Sequence, residues 1–273
     1  MQADATAAWE IARPPRVPAL PGADMAGFRV PGGSPVELRT IPHPAVTVAV
    51  EFGDRPLEVR GLRSGSVAVG LGFSPFEVRA EGVECLQIRL SPLLARPVLG
   101  LPLTELSGSV LALDDLWGSA APRLREQLHH ARSWPERFAL IEAELRTRLG
   151  EGRAVDPEVS SVWHGIVASQ GRARVGELAA EVGWSRQRTW SRFGAQIGLT
   201  PKRAAMLVRF DHAVHRLAYG HPPARVAADG GYADQSHLHH EIRTFSGSTP
   251  ATAANEPWLA ADARAWPARE RLG

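Results

Sequence analysis

Cysteine is nearly missing from this chain of 273 residues: Cys85 stands alone, which excludes an intramolecular disulfide and fits a reducing compartment. Long apolar runs are missing too, and none approaches the roughly 20 residues that a membrane helix needs. The opening Met1-Gln2-Ala3-Asp4 lacks a basic stretch followed by an apolar one, so no secretory signal is expected. Lysine occurs once, as Lys202, against 30 arginines, a bias that reads as genome composition. Before residue 129 there is one histidine, His43, so a His-rich metal centre is nearly excluded there. What is present, 44% hydrophobic and 22% charged residues, has the balance of a soluble globular protein of about two domains.

Formal net charge is +2, unevenly placed. Residues 1–154 carry 17 Arg against 18 acidic residues, whereas residues 155–250 carry 11 basic against 8 acidic and seven of the ten histidines. A slightly basic module beside a near-neutral one suits phosphate binding by the former.

The Pro-, Ala- and Gly-rich residues 1–36 show no lasting period and read as a loose arm. Alternation follows in 46–52, 57–60, 66–71, 76–79 and 84–90, with glycine-containing breaks between. Short strands at that spacing imply an antiparallel sheet or small, cupin-like barrel. Helical period takes over after Pro92, with Asp114 or Asp115 as a candidate N-cap and Pro135 opening a helix that carries Phe138, Ile141, Leu145 and Leu149. Glu151-Gly152-Arg153 breaks that pattern. The expected organisation is α+β: an arm (1–36), a β-rich sensing or dimerising domain with C-terminal helices (37–150), an all-α domain (155–250) and a tail (251–273).

The all-α part repeats itself. Ala179, Gly183, Phe193 and Gly198-Leu199-Thr200-Pro201 are echoed by Ala227, Gly231, Ile242 and Gly247-Ser248-Thr249-Pro250. A short helix, a glycine turn, a second helix and a Thr-Pro restart outline a helix-turn-helix, and two in tandem suit two adjacent stretches of DNA groove. The small alanines let helices cross closely, and the glycines supply the permissive backbone of a tight turn. On the first second-helix, Thr189, Phe193 and Ile197 should face inward, leaving Arg186, Gln187, Trp190 and Ser191 outward. On its counterpart Leu238 and Ile242 should face inward, leaving Gln235, Ser236, His237, His239 and His240 outward. Gln pairs with adenine, Arg with guanine or phosphate, Trp packs on thymine methyls, and neutral His both donates and accepts.

These residues resemble the DNA-binding domain of the AraC family of bacterial transcription regulators. Gly231-Tyr232-Ala233-Asp234-Gln235-Ser236-His237-Leu238 is similar to that family's signature, and the resemblance covers about 157–251. It implies two helical subdomains joined by a helix from Pro201 to about Tyr219, each placing its second helix in the major groove. Double-stranded DNA is the implied partner; RNA polymerase, a small-molecule effector and a second copy of the chain are further candidates, with no cofactor, catalytic residue or metal and a cytoplasmic location. Leu113-Asp114-Asp115-Leu116-Trp117-Gly118 resembles a subgroup with a β-rich sensing domain in front. The family usually has Leu where Thr189 stands and Arg where Ser191 and His240 stand, so core contact and DNA donors differ here.

The main rival is an enzyme: a carboxylate-based or cupin-like N-terminal domain fused to a DNA-binding module. A metal site of His237, His239 and His240, with His212 and His215, is disfavoured because the first three do not share one helical face. A thiol switch at Cys85 turns on its burial, which alternation leaves open.

Overall fold

The computed structural model describes residues 9–16, 20–32, 35–55, 57–63 and 65–266. The strands among these residues are β1 (Glu10–Ala12), β2 (Ala23–Arg29), β3 (Val36–Thr40), β4 (Val46–Glu51), β5 (Glu58–Val59), β6 (Leu62–Arg63), β7 (Ser66–Val69), β8 (Phe76–Ala80), β9 (Glu84–Leu90) and, between the first helices, β10 (Val110–Ala112). The helices are α1 (Pro92–Leu99), α2 (Leu103–Leu106), α3 (Leu113–Trp117), α4 (Ala120–His130), α5 (Trp134–Glu151), α6 (Pro157–Ala168), α7 (Val175–Glu181), α8 (Arg186–Ile197), α9 (Pro201–Ala218), α10 (Pro223–Asp229), α11 (Gln235–Ser246), α12 (Pro250–Ala254) and α13 (Pro257–Ala265).

The strands make two antiparallel sheets, ordered β1-β2-β9-β4-β7-β10 and β3-β8-β5-β6. They remain separate, so the small closed barrel that the strand spacing suggested does not form. β9 and β4 lie centrally, and their period of two sorts the side chains onto two faces. Val48, Val50, Leu86, Ile88 and Leu90 pack with Leu94, Val98, Ile141 and Leu145 of α1 and α5. Ala49 and Cys85 turn the other way and meet Leu38, Val59 and Ala80 of the four-stranded sheet.

Residues 1–36 are not a loose arm where they are described. β2 pairs with β9 through seven residues, from Ala23 opposite Leu90 to Arg29 opposite Glu84. Its small residues hide the period, and Gly27 is required because a Cβ there would collide with the Trp134 ring. Residues 1–8 lie outside the described part. The expected N-cap at Asp114 or Asp115 is also displaced: Ala112 precedes α3, and both aspartates sit in its first turn, where they favour the helix dipole. Pro135 does open α5, whose cap is the Ser133 hydroxyl accepting from the Glu136 N–H.

Packing crosses the break at 151–153. One core runs from the β9 face through α1 and α5 to Trp163, Phe193 and Ile197, and the other runs from Phe28 and Ala49 to Phe210, Ile242 and Trp258. The tail after Pro250 forms α12 and α13, with Trp258, Leu259 and Trp266 buried; residues 267–273 lie outside the described part. No helix among the described residues is long and apolar enough to cross a membrane.

Candidate functional site

The repeat in the sequence becomes a repeat of backbone geometry. Gly183 (φ 68°) and Gly231 (φ 72°) both adopt the left-handed conformation that closes a helix. The following N–H, from Trp184 and Tyr232, donates back to Ala179 (2.9 Å) and Ala227 (3.1 Å). The repeated alanine therefore supplies both the close crossing and the carbonyl that locks the turn. Each second helix then starts on a capping side chain: the Ser185 hydroxyl accepts from Arg188 N–H (3.2 Å), and the Asp234 carboxylate accepts from His237 N–H (2.7 Å). Each ends on a left-handed glycine, Gly198 or Gly247. Thr200 and Thr249 cap the helices that follow, α9 and α12, with proline at their starts.

Thr189, Phe193 and Ile197 are buried beneath α8, and Leu238 and Ile242 beneath α11, as their spacing predicts. Arg186, Gln187, Trp190 and Ser191 are exposed on α8, and Gln235, Ser236, His237, His239 and His240 on α11. Trp190 is 41% exposed, although tryptophan side chains are highly buried on average. His237 is partly committed to the turn, since its Nδ1 accepts from Ala233 N–H (3.3 Å) and its ring meets Tyr232 edge-on. The Gln235 amide and His239 ring hydrogen-bond along α11 at 3.3 Å. The histidines do not converge: among the described residues no three His, Cys, Asp or Glu side chains are arranged to hold a metal.

Several functional supports escaped the sequence reading. Arg188 is exposed on α8 with its guanidinium 4.7 Å from the Trp184 ring. Arg192 pairs with Asp156 (2.5 Å), and Gln196 accepts from Asp156 N–H, tying α8 to the start of α6. The Arg192 hydrogen bond holds the Asp156 carboxyl below its ordinary range. Under α11, Glu241 is buried and accepts from both Arg209 of α9 and the Tyr232 hydroxyl (2.8 Å). Burial, then the Glu241 charge, pushes the Tyr232 phenol up. Glu241 shares the apolar stripe of Leu238, Ile242 and Phe245, so its inward position was legible from period alone.

A second feature is a cavity between the two sheets. Phe28, Val59, Val67, Val78 and Cys85 supply apolar wall, while His43, Thr47 and Gln87 supply polar atoms. Thr47 Oγ1 lies 3.0 Å from His43 Nε2. Among the described residues no Lys, Arg, Asp or Glu lines it. Burial, and then the Glu51 carboxyl, pushes the Cys85 thiol up to about 12, so it stays a protonated wall group rather than a reactive thiolate.

The helix-turn-helix domain family matches residues 178–256, which span both turns and both exposed helices. No curated protein matches the chain. Among solved structures, ToxT from Vibrio cholerae O395 is similar at 9% identity over 85% of this chain and 97% of that one, with TM-score 0.47. A second ToxT crystal form is 10% identical over 85% and 98%, with TM-score 0.48. ToxT bound to an unsaturated fatty acid is 8% identical over 85% and 94%, with TM-score 0.46. The paired turns, their caps and the family match identify an AraC-type helix-turn-helix domain over residues 178–256, and the chain is a DNA-binding transcription regulator.

Proposed function

We propose that α8 and α11 enter consecutive major-groove segments and read sequence through Arg186, Gln187, Trp190, Ser191, Gln235, Ser236, His237, His239 and His240. The observation that carries this reading is the duplicated turn, which leaves a polar, exposed face on the second helix of each unit. Arg188 joins them as a phosphate contact, because it is exposed beside the bases' expected side of α8. In this reading residues 155–250 bind DNA and the β-rich part senses, without catalysis, in the cytoplasm. The cavity between the sheets is the effector site. Its lining favours a neutral, largely apolar small molecule with one hydrogen-bonding head for His43, Thr47 or Gln87, since burying a charged head without a partner would cost too much. A second copy of the chain and RNA polymerase are the remaining partners of this reading.

The test is selection of bound sequences from a random DNA pool, followed by affinity measurements on single-base operator variants. Gln187→Ala and Gln235→Ala should each alter preference at one or two positions by about 1–3 kcal/mol, in different half-sites. Affinity should fall steeply with salt as arginines displace phosphate counterions. Unchanged preference in both variants would reject the base-reading assignment.

A further inference from the structure

The helix at the end of the described chain, α13, touches three parts of the molecule that are far apart in sequence. Its Trp258 is part of the cavity wall. Its Asp262 is buried and pairs with Arg89 of β9, itself only 2% exposed. The other oxygen of Asp262 accepts from His215 Nε2 at 2.9 Å, and His215 lies on α9, the helix that joins the two helix-turn-helix units. The Arg89 guanidinium stacks 3.7 Å from the Trp266 ring just beyond α13. Trp266 in turn packs on Phe28, and Phe28 on Trp9, both of which line the cavity. Arg264 donates to the Trp9 carbonyl at 2.9 Å, closing the ring of contacts.

Burying a guanidinium and a carboxylate costs several kcal/mol unless both are well paired, so these contacts hold in one arrangement and fail together. An apolar ligand in the cavity gains contact with Trp258 when α13 is seated and loses it when α13 lifts. A ligand shifts an equilibrium only by such differential contact. We infer that α13 is a latch that couples the cavity to the DNA-binding helices: a cavity ligand holds Trp258 in place, and Asp262 transmits the seated state to α9 through His215. The inference rests on the cavity being the effector site.

Hydrogen–deuterium exchange of the full-length protein, with and without the neutral probe N-phenyl-1-naphthylamine, tests it. In the wild type the probe should slow exchange about threefold or more in residues 257–266 and also in 211–218 of α9. His215→Ala removes the α9 arm and keeps the ion pair between Arg89 and the other oxygen of Asp262. There the probe should still slow 257–266, while 211–218 no longer responds. A response of 211–218 in His215→Ala equal to that of the wild type overturns the latch, as does a wild-type response confined to 257–266. Ala49→Leu, which adds bulk inside the cavity, separates the two ideas. Should the probe not bind, or bind Ala49→Leu as well as wild type, the effector reading of the cavity fails. The latch is then judged without probe: Trp258→Ala, which removes the α13 side chain that lines the cavity and lies 6.0 Å from the Arg89 guanidinium, should speed exchange in 211–218 about threefold or more, and unchanged exchange there overturns it.

Discussion

Beneath α8 lie Thr189, Phe193 and Ile197, with Phe193 stacked against Trp163 of α6. Beneath α11 lie Leu238, Ile242 and Phe245, but also the carboxylate of Glu241, held by Arg209 and Tyr232. The turns above these interiors match residue for residue in their roles, down to the alanine carbonyl that closes each one. Outer neighbours differ as well. The C-terminal end of α8 seats on α2, so tightly that a Cβ on Gly198 would meet the Leu103 carbonyl oxygen at 2.6 Å. α11 instead meets the Phe73 ring through Phe245, at 5.2 Å between centroids. The shared part is thus the backbone geometry that presents an outward face. The interior that fixes each helix is free to be apolar in one unit and ionic in the other.

The largest expected effect follows from the ionic interior. Glu241→Ala leaves the Arg209 guanidinium and the Tyr232 hydroxyl without their acceptor and should cost about 3–5 kcal/mol, measured by urea denaturation. DNA contact should be lost at the half-site read by α11 and kept at the half-site read by α8. Phe193→Ala should cost a similar amount, about 3–5 kcal/mol, with the half-sites reversed. A loss below about 1 kcal/mol for Glu241→Ala would show that the second unit is held by its apolar residues alone, and the contrast between the units would collapse.

The turns allow a finer comparison. Gly183→Ala and Gly231→Ala each force a β-carbon into the left-handed region, at about 1–2 kcal/mol. Around Gly183 the new atom meets open space, whereas at Gly231 it lies 3.3 Å from Arg172 Cγ. Arg172 also donates to the Asp229 carbonyl at the end of α10. The second substitution should therefore cost the same or slightly more, read as the difference in denaturation midpoint. A clearly larger loss at Gly183 would mean that the two turns are not equivalent.

Much of this was legible in the sequence because helix-turn-helix geometry makes local demands. A positive φ needs glycine, a helix start needs Ser, Asp or Thr, and the buried face recurs every three to four residues; Gly183, Ser185 and Phe193 meet all three. The exposure of Trp190 followed from its place beside Thr189, off the Phe193 face. What was hidden depends on partners distant in sequence. Nothing near Glu241 announces Arg209, 32 residues away, and nothing near Arg89 announces Asp262, 173 residues away. β2 was hidden for another reason: Ala23, Ala26 and Gly27 are small because β9 and Trp134 crowd them, and small residues carry no period.

Another buried carboxylate, Glu51 at the end of β4, sharpens the lesson of Glu241 by having no guanidinium bonded to it among the described contacts. Its Oε2 accepts from Leu57 N–H at 2.6 Å, and Arg125 acts only through its field. Burial outweighs both and raises the carboxyl from 4.5 to about 7. The folded state therefore holds the proton more tightly than the unfolded chain does. The stability this contributes is whole below about pH 4.5 and is lost as pH rises through about 7. Glu51→Gln keeps the amide acceptor for Leu57 and cannot ionise. Its denaturation midpoint should equal that of the wild type near pH 5 and exceed it at pH 8, the gap opening between those values. Glu241→Gln should be destabilising at both pH values, because there the charge is matched by Arg209. If Glu51→Gln gave no gain at pH 8, the Arg125 field would be neutralising Glu51 after all, and the two carboxylates would differ in geometry but not in kind.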